Sequence, residues 1–219
     1  MFLCVAVGFV LSAVGGPTGQ AGDDREITAA ALGPLTRRPN GPANMGGRVA
    51  ASALGPGSRT DLYVGFATGG RGKSTNLGTT FQEVFRHQET SSIGAIGVVN
   101  APGDWIGWDD LAAAGDTVPV ADRAEAGIGR VVWVGTGEGN GRNSVSWGHG
   151  VYRSVDGGAS FTHVGLPETH NIPRLATDPR SPETCYVAAL GHLWGKNPDR
   201  GVFKTTDGGT TWDHVLKVD

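Results

Sequence analysis

The apolar residues of this chain come in short runs, and the runs come in sets. "RVAASAL" (48–54), "IGAIGVV" (93–99) and "IPRLATD" (172–178) open three sets, and "LYVGFAT" (62–68), "VVWVGTG" (131–137) and "CYVAAL" (185–190) follow them. Runs this short, rich in Val and aromatics and bounded by glycine, predict β-strands rather than helices. A third strand in each set leads into a nine-residue motif: "KSTNLGTTF" (73–81), "RSVDGGASF" (153–161) and "KTTDGGTTW" (204–212). Its pattern is basic, Ser/Thr, any, Asp/Asn, any, Gly, any, Ser/Thr, aromatic. A fourth short strand follows each motif: "FQEVF" (81–85), "FTHVG" (161–165) and "WDHVLKV" (212–218).

Three sets of four strands predict an all-β chain: a partial β-propeller of three four-stranded antiparallel blades, open rather than closed. The blades run over about 46–92, 93–171 and 172–219, within a propeller region of 41–219. From Arg48 to Ile93 the spacing is 45 residues, within the range of a four-stranded blade. From Ile93 to Ile172 it is 79, because residues 100–129 are inserted between the first two strands of the second blade. An insertion in a surface loop costs little. A blade cannot bury both faces alone, and propellers typically close with about 4–8 blades. The expected partners are therefore the remaining blades of a longer chain, with pairing in trans as the alternative.

Residues 2–14, "FLCVAVGFVLSAV", are uncharged and apolar but too short to span a bilayer, which takes roughly 20 residues. With small residues after them they predict a signal peptide over 1–22, followed by a linker over 23–40. No Lys or Arg precedes the run, so an imprecise start to the coding region is the alternative. A cleaved signal implies a secreted or periplasmic protein with no transmembrane segment left. Glycine supplies 37 of 219 residues without a G-X-Y period, which excludes collagen and fits glycine-rich turns. The formal charge of −3, with no basic stripe, excludes a nucleic-acid groove. Removal of a signal peptide takes Cys4 with it and leaves Cys185, a small hydrophobe in an apolar run with no disulfide partner.

The motif's Asp invites a catalytic or calcium assignment, but every motif residue has a structural duty. Ser74, Asn76, Gly78 and Phe81, then Ser154, Asp156, Gly158 and Phe161, then Thr205, Asp207, Gly209 and Trp212 are expected to build a hairpin. The Asp accepts backbone N–H groups, glycine supplies positive φ, and the aromatic anchors the next strand. A calcium loop needs more oxygen ligands, so no metal is expected. With the strands lettered a to d from the axis outward, the motifs are c–d turns, and the b–c and d–a loops lie on the opposite face. The b–c loops of the second and third blades are long: "GEGNGRNSVSWGHG" (137–150) and "GHLWGKNPDRG" (191–201). Asn140, Arg142, Asn143, Trp147, His149, His192, Trp194, Asn197 and Arg200 are the ligand-binding candidates there, with Lys196 beside them. Trp beside Arg and polar groups makes a sugar or peptide platform. Packing of the loops on one another is the alternative. Glu138 and Asp199 are the catalytic candidates on this face, with Glu89 and Glu168 in d–a turns. "GTGEGNG" fails the dinucleotide-loop spacing and no helix follows it, so no cofactor is expected. The six His residues show no paired ligand spacing, and His163 and His214 occupy matching places in the fourth strands.

The nine-residue motif resembles the Asp-box, or BNR repeat. The copy at 74–81 departs from it, with Asn76 for Asp and Leu77 beside the glycine. "GPANMGGRV" (41–49), "GTGEGNGRNSVSWGHGVYRSVDGG" (135–158) and "AALGHLWGKNPDRGVFKTTDGGTTWDHVLKVD" (188–219) resemble the N-terminal propeller of large secreted bacterial proteins of the sortilin-type or BNR-repeat glycosyl hydrolase-like group. The resemblance implies a propeller outside the cytoplasm. It leaves two functions open: a non-catalytic module binding a protein, peptide or glycan, and part of a glycoside hydrolase, since Asp-box propellers include sialidases and xyloglucanases.

Overall fold

The computed structural model describes residues 47–86, 88–101, 129–140 and 144–218, all within one compact unit, Asn40–Asp219. The expected signal peptide and linker, and most of the 100–129 insertion, lie outside the described residues.

Among the described residues, twelve strands form three four-stranded antiparallel sheets, each in chain order, and none closes on itself. The first blade holds β1 (Val49–Leu54), β2 (Leu62–Phe66), β3 (Gly70–Ser74) and β4 (Gln82–Glu83). The second holds β5 (Ile93–Asn100), β6 (Arg130–Thr136), β7 (Val151–Ser154) and β8 (Thr162–His163). The third holds β9 (Arg174–Asp178), β10 (Ser181–Ala189), β11 (Gly201–Thr205) and β12 (Asp213–Lys217). The first strands β1, β5 and β9 pack beside one another, as inner strands of a propeller do. The chain is thus an open, partial β-propeller.

The core lies in the two seams between blades, and β6 feeds both. Side chains alternate across a strand. Val132 and Val134 accordingly join Tyr63, Phe85, Ile93 and Tyr152 in the first seam. Val131 and Trp133 join Val99, Val151, Ile172, Cys185 and Val187 in the second. Every residue of β6 is buried. Each such apolar side chain contributes about 1.5–3 kcal/mol. Glycine at one place in the second strand admits the next blade: a Cβ on Gly65 or Gly135 would lie 2.4 Å from a methyl of Ile93 or Ile172 respectively.

The outer strands are shorter than the sequence predicts, with β4 and β8 pairing over two residues each. The first strand of the third blade also starts later than Ile172. The Ile172 N–H donates to the Thr136 carbonyl of the second blade (3.0 Å) and Pro173 has no N–H, so ladder pairing begins at Arg174. β10 begins at Ser181, ahead of the predicted Cys185, around an irregular register between the two.

The three motifs form the same turn between third and fourth strands. The hydroxyls of Ser74, Ser154 and Thr205 donate to Asn76, Asp156 and Asp207 at 2.9, 2.6 and 2.7 Å. They accept the amides of Gly78, Gly158 and Gly209 at 2.8, 2.7 and 2.9 Å. The Asn or Asp oxygen accepts an amide four residues on, from Thr80, Ser160 or Thr211 (each 2.9 Å). Hydroxyl and amide donors from Thr211, with the Thr205 hydroxyl, pull the Asp207 carboxyl down to about 2. Asp207 therefore braces a turn. The residue after it is left-handed in every copy: Leu77 at φ 57°, Gly157 at 67° and Gly208 at 74°.

The basic residue that opens each motif faces an aromatic residue directly across the ladder, in the pairs Tyr63–Lys73, Trp133–Arg153 and Tyr186–Lys204. The cation lies 5.7, 5.3 and 5.5 Å from the respective ring centre. The closing aromatic fills a seam in two copies. Phe161 meets Phe85 at 5.1 Å between ring centres. Trp212 meets Trp133 at 6.3 Å and donates its Nε1–H to the Val164 carbonyl (2.7 Å). Phe81 remains 36% exposed.

Candidate functional site

The b–c loops lie against the d–a loops and interlock with them. The amide of Gly137 donates to the Ser92 carbonyl (2.9 Å), and the hydroxyls of Thr90 and Ser92 donate to the carbonyls of Trp147 (3.1 Å) and Ser146 (3.2 Å). On the other side, Gly148 N–H donates to the His170 carbonyl (2.7 Å) and Leu190 N–H to the Asn171 carbonyl (2.9 Å). The described ends of loop 137–150 are thus stitched to the d–a loops on both sides. Residues 141–143, which include the candidates Arg142 and Asn143, lie outside the described residues.

Glu138 is a brace at the root of this loop. Its side chain is fully buried and forms an ion pair with Arg48 of the first blade, whose side chain is 45% exposed. The Ser146 amide donates weakly to the same carboxylate (3.5 Å), and Asn171 Nδ2 donates to the Glu138 backbone carbonyl (2.8 Å). One residue therefore ties the start of β1, its own loop and the entry to the third blade. These contacts close the Glu138 carboxylate off from solvent.

Loop 190–200 is braced from within. Arg200 donates through Nε to the Leu190 carbonyl (3.0 Å), and through Nη2 to those of His192 (2.8 Å) and Gly195 (3.3 Å). Asn197 donates to the His192 carbonyl (3.1 Å) and accepts the Asp199 amide (3.2 Å). Arg200 and Asn197, expected as ligand contacts, thus direct these groups at their own loop. What the loop presents is Trp194, 85% exposed, with Lys196 also exposed.

Trp147, 64% exposed, stands over the blade boundary. Its ring meets His170 edge-on at 5.1 Å, and His170 meets His192 at 4.0 Å. Three rings thus form a continuous strip from the second blade to the third. His149 points the other way. It stacks on His163 at 4.7 Å, with Nδ1 3.3 Å from the Tyr152 hydroxyl and Nε2 3.3 Å from the Glu89 carboxylate. Burial and the neighbouring His149 hold His163 below the usual histidine range. His163 and His214 lie opposite Tyr152 and Phe203 in their ladders, so their matching places reflect a shared blade contact.

Asn140 is exposed and lines a groove of about 400 Å³ along the inner strands, with Ser52, Gly94, Gly139, Pro173 and Arg174. Among the described residues no group of three or more His, Cys, Asp or Glu could hold a metal ion, and no helix is long and apolar enough to cross a membrane. Sequence reasoning missed Arg48, His170, Asn171 and Arg174. None has a local motif, and each earns its place through residues far away in the chain.

No protein-family model matches the chain, and no curated protein matches it. Solved structures do. The GH74 enzyme of Niastella koreensis is 20% identical, with a TM-score of 0.48 over 75% of this chain and 21% of its own. An ancestral GH74 enzyme is 23% identical, with a TM-score of 0.49 over 77% of this chain and 18% of its own. The GH74 xyloglucanase from Xanthomonas campestris is 18% identical, with a TM-score of 0.47 over 78% of this chain and 21% of its own. The chain spans about a fifth of the length of these structures.

Proposed function

We propose that this chain is a binding module, working outside the cytoplasm as part of a larger Asp-box propeller, that holds a protein, peptide or glycan on its b–c face and does no chemistry itself. The observation that carries this reading is the exposure of Trp147 and Trp194 on loops whose backbones are tied down. Tryptophan is enriched at the centres of interaction sites, and a platform ordered before binding loses less entropy when the ligand arrives. The exposed rings of Trp147 and Trp194 offer faces for a sugar ring or a side chain. The alternative is the N-terminal part of a glycoside hydrolase, favoured by the groove beside Asn140 and Arg174. Against it stands Glu138, buried and paired with Arg48, where hydrolysis needs two carboxylates on the substrate.

The test is a glycan array and a peptide array probed with the purified chain and with a Trp147→Ala/Trp194→Ala double variant. Loss of at least about tenfold in affinity, roughly 1.4 kcal/mol, is expected for the true ligand. Unchanged binding by the double variant refutes the platform. Export is checked by N-terminal sequencing of the protein recovered outside the cytoplasm, with cleavage near residue 22 expected.

A further inference from the structure

Two of the three motif turns offer a backbone carbonyl that the preceding blade caps. The residue after the motif Asp turns its amide into its own blade: Leu77, Gly157 and Gly208 donate to the carbonyls of Thr60, Arg130 and Glu183 (each 3.0 Å). In the second and third blades its carbonyl points across the seam. The Tyr63 hydroxyl of the first blade donates to Gly157 O (2.9 Å), and Arg153 Nη1 of the second approaches Gly208 O at 3.5 Å. Both donors belong to the aromatic–cation pair on the second and third strands. In those two blades the ring, Tyr63 or Trp133, is wholly buried by the blade that follows. The third blade repeats the pair with Tyr186 and Lys204, yet Tyr186 is 41% exposed.

From this repetition we infer that Tyr186 and Lys204 are a docking face for a further four-stranded blade of the same chain, and that the Tyr186 hydroxyl caps the carbonyl of the residue after the Asp of that blade's own motif. Tyr186 stands in the same ladder position as Tyr63, carries the same side chain and has a cation opposite, so the same bond follows. A size restriction follows too. Ala188 stands where Gly65 and Gly135 admit Ile93 and Ile172, so the entering residue is smaller than isoleucine. The inference rests on the chain being part of a larger propeller, and it adds the contact that joins the pieces.

A photo-crosslinker decides it. Tyr186 is replaced by p-benzoyl-phenylalanine in the protein made from its complete reading frame, irradiated and mapped by mass spectrometry. The same replacement at Tyr63 is the control, with cross-links expected at residues 156–158. For Tyr186 the expected result is a cross-link to the residues just after the Asp of a motif beyond residue 219. A cross-link beyond residue 219 but away from any motif turn overturns the contact while leaving the larger propeller standing. Attachment to the Leu77 turn of a second copy overturns both. Attachment to the b–c loops, or none while the Tyr63 control works, overturns the docking face.

Discussion

Separating Arg48 from Glu138 tests whether Glu138 is a brace or an exposed acid. The Glu138 side chain is 0% exposed and that of Arg48 is 45% exposed, so the two halves of the pair are not equivalent. Arg48→Met removes one of the groups that compensate a buried carboxylate, and breaking a buried pair typically costs about 3–5 kcal/mol. The lower end is expected here, about 3 kcal/mol, because the pair sits partly in water on the arginine side. Glu138→Gln keeps the side-chain shape and frees an arginine that can rehydrate, so about 1–2 kcal/mol is expected, the worth of a charge-assisted hydrogen bond. With a urea slope of about 2 kcal/mol/M, the midpoint falls by about 1.5 M for Arg48→Met and about 0.5–1 M for Glu138→Gln. Equilibrium urea unfolding followed by Trp fluorescence reads both. Equal shifts, or a larger one for Glu138→Gln, would refute the reasoning, because a carboxylate in contact with water does not suffer when its partner is removed.

Three other outcomes follow from the turns and the core. Leu77 holds a left-handed conformation that costs a branched residue about 1–2 kcal/mol, and glycine's extra chain entropy offsets about 0.5–1 of it. Leu77→Gly should therefore raise stability by about 0.5–1 kcal/mol, and a lower urea midpoint contradicts this. Asp207 has a carboxyl depressed in the fold, so its stabilising share is complete above about 4 and is lost as pH falls through about 2. In Asp207→Asn that slope disappears from stability measured between pH 5 and pH 2; a slope unchanged by the substitution contradicts the assignment. Burial pushes the Cys185 thiol up to about 12, so thiol reagents at pH 8 should label it only after unfolding, as checked by peptide mapping.

The strands and their grouping were legible because the nine-residue motif repeats and because strand periodicity is local. The outer strands read too long in the sequence: "FQEVF" holds β-forming residues, but only Gln82 and Glu83 have ladder partners. The first strand of the third blade pairs from Arg174 rather than Ile172, because nothing local tells an isoleucine bonded to its own sheet from one bonded to the preceding blade. The candidate face was legible as long loops with Trp147 and Trp194. What Arg200 and Asn197 do there was not, because a donor directed at its own loop reads like a donor directed at a ligand. Glu138 was picked out for its charge. Its burial depends on Arg48 and Asn171, which only the stacking of blades brings near.

Because the side chains of β6 divide between two seams, neither seam can loosen without disturbing the other through one shared strand. Native-state hydrogen exchange should resolve this as a gradient. Amides of β6 exchange only through global unfolding, while those of β4 and β12, at the outer edges of the flanking blades, exchange through opening of single blades. The middle blade is thus the kinetic anchor of the trio, and proteolysis in limiting amounts should trim inward from the flanking blades toward it.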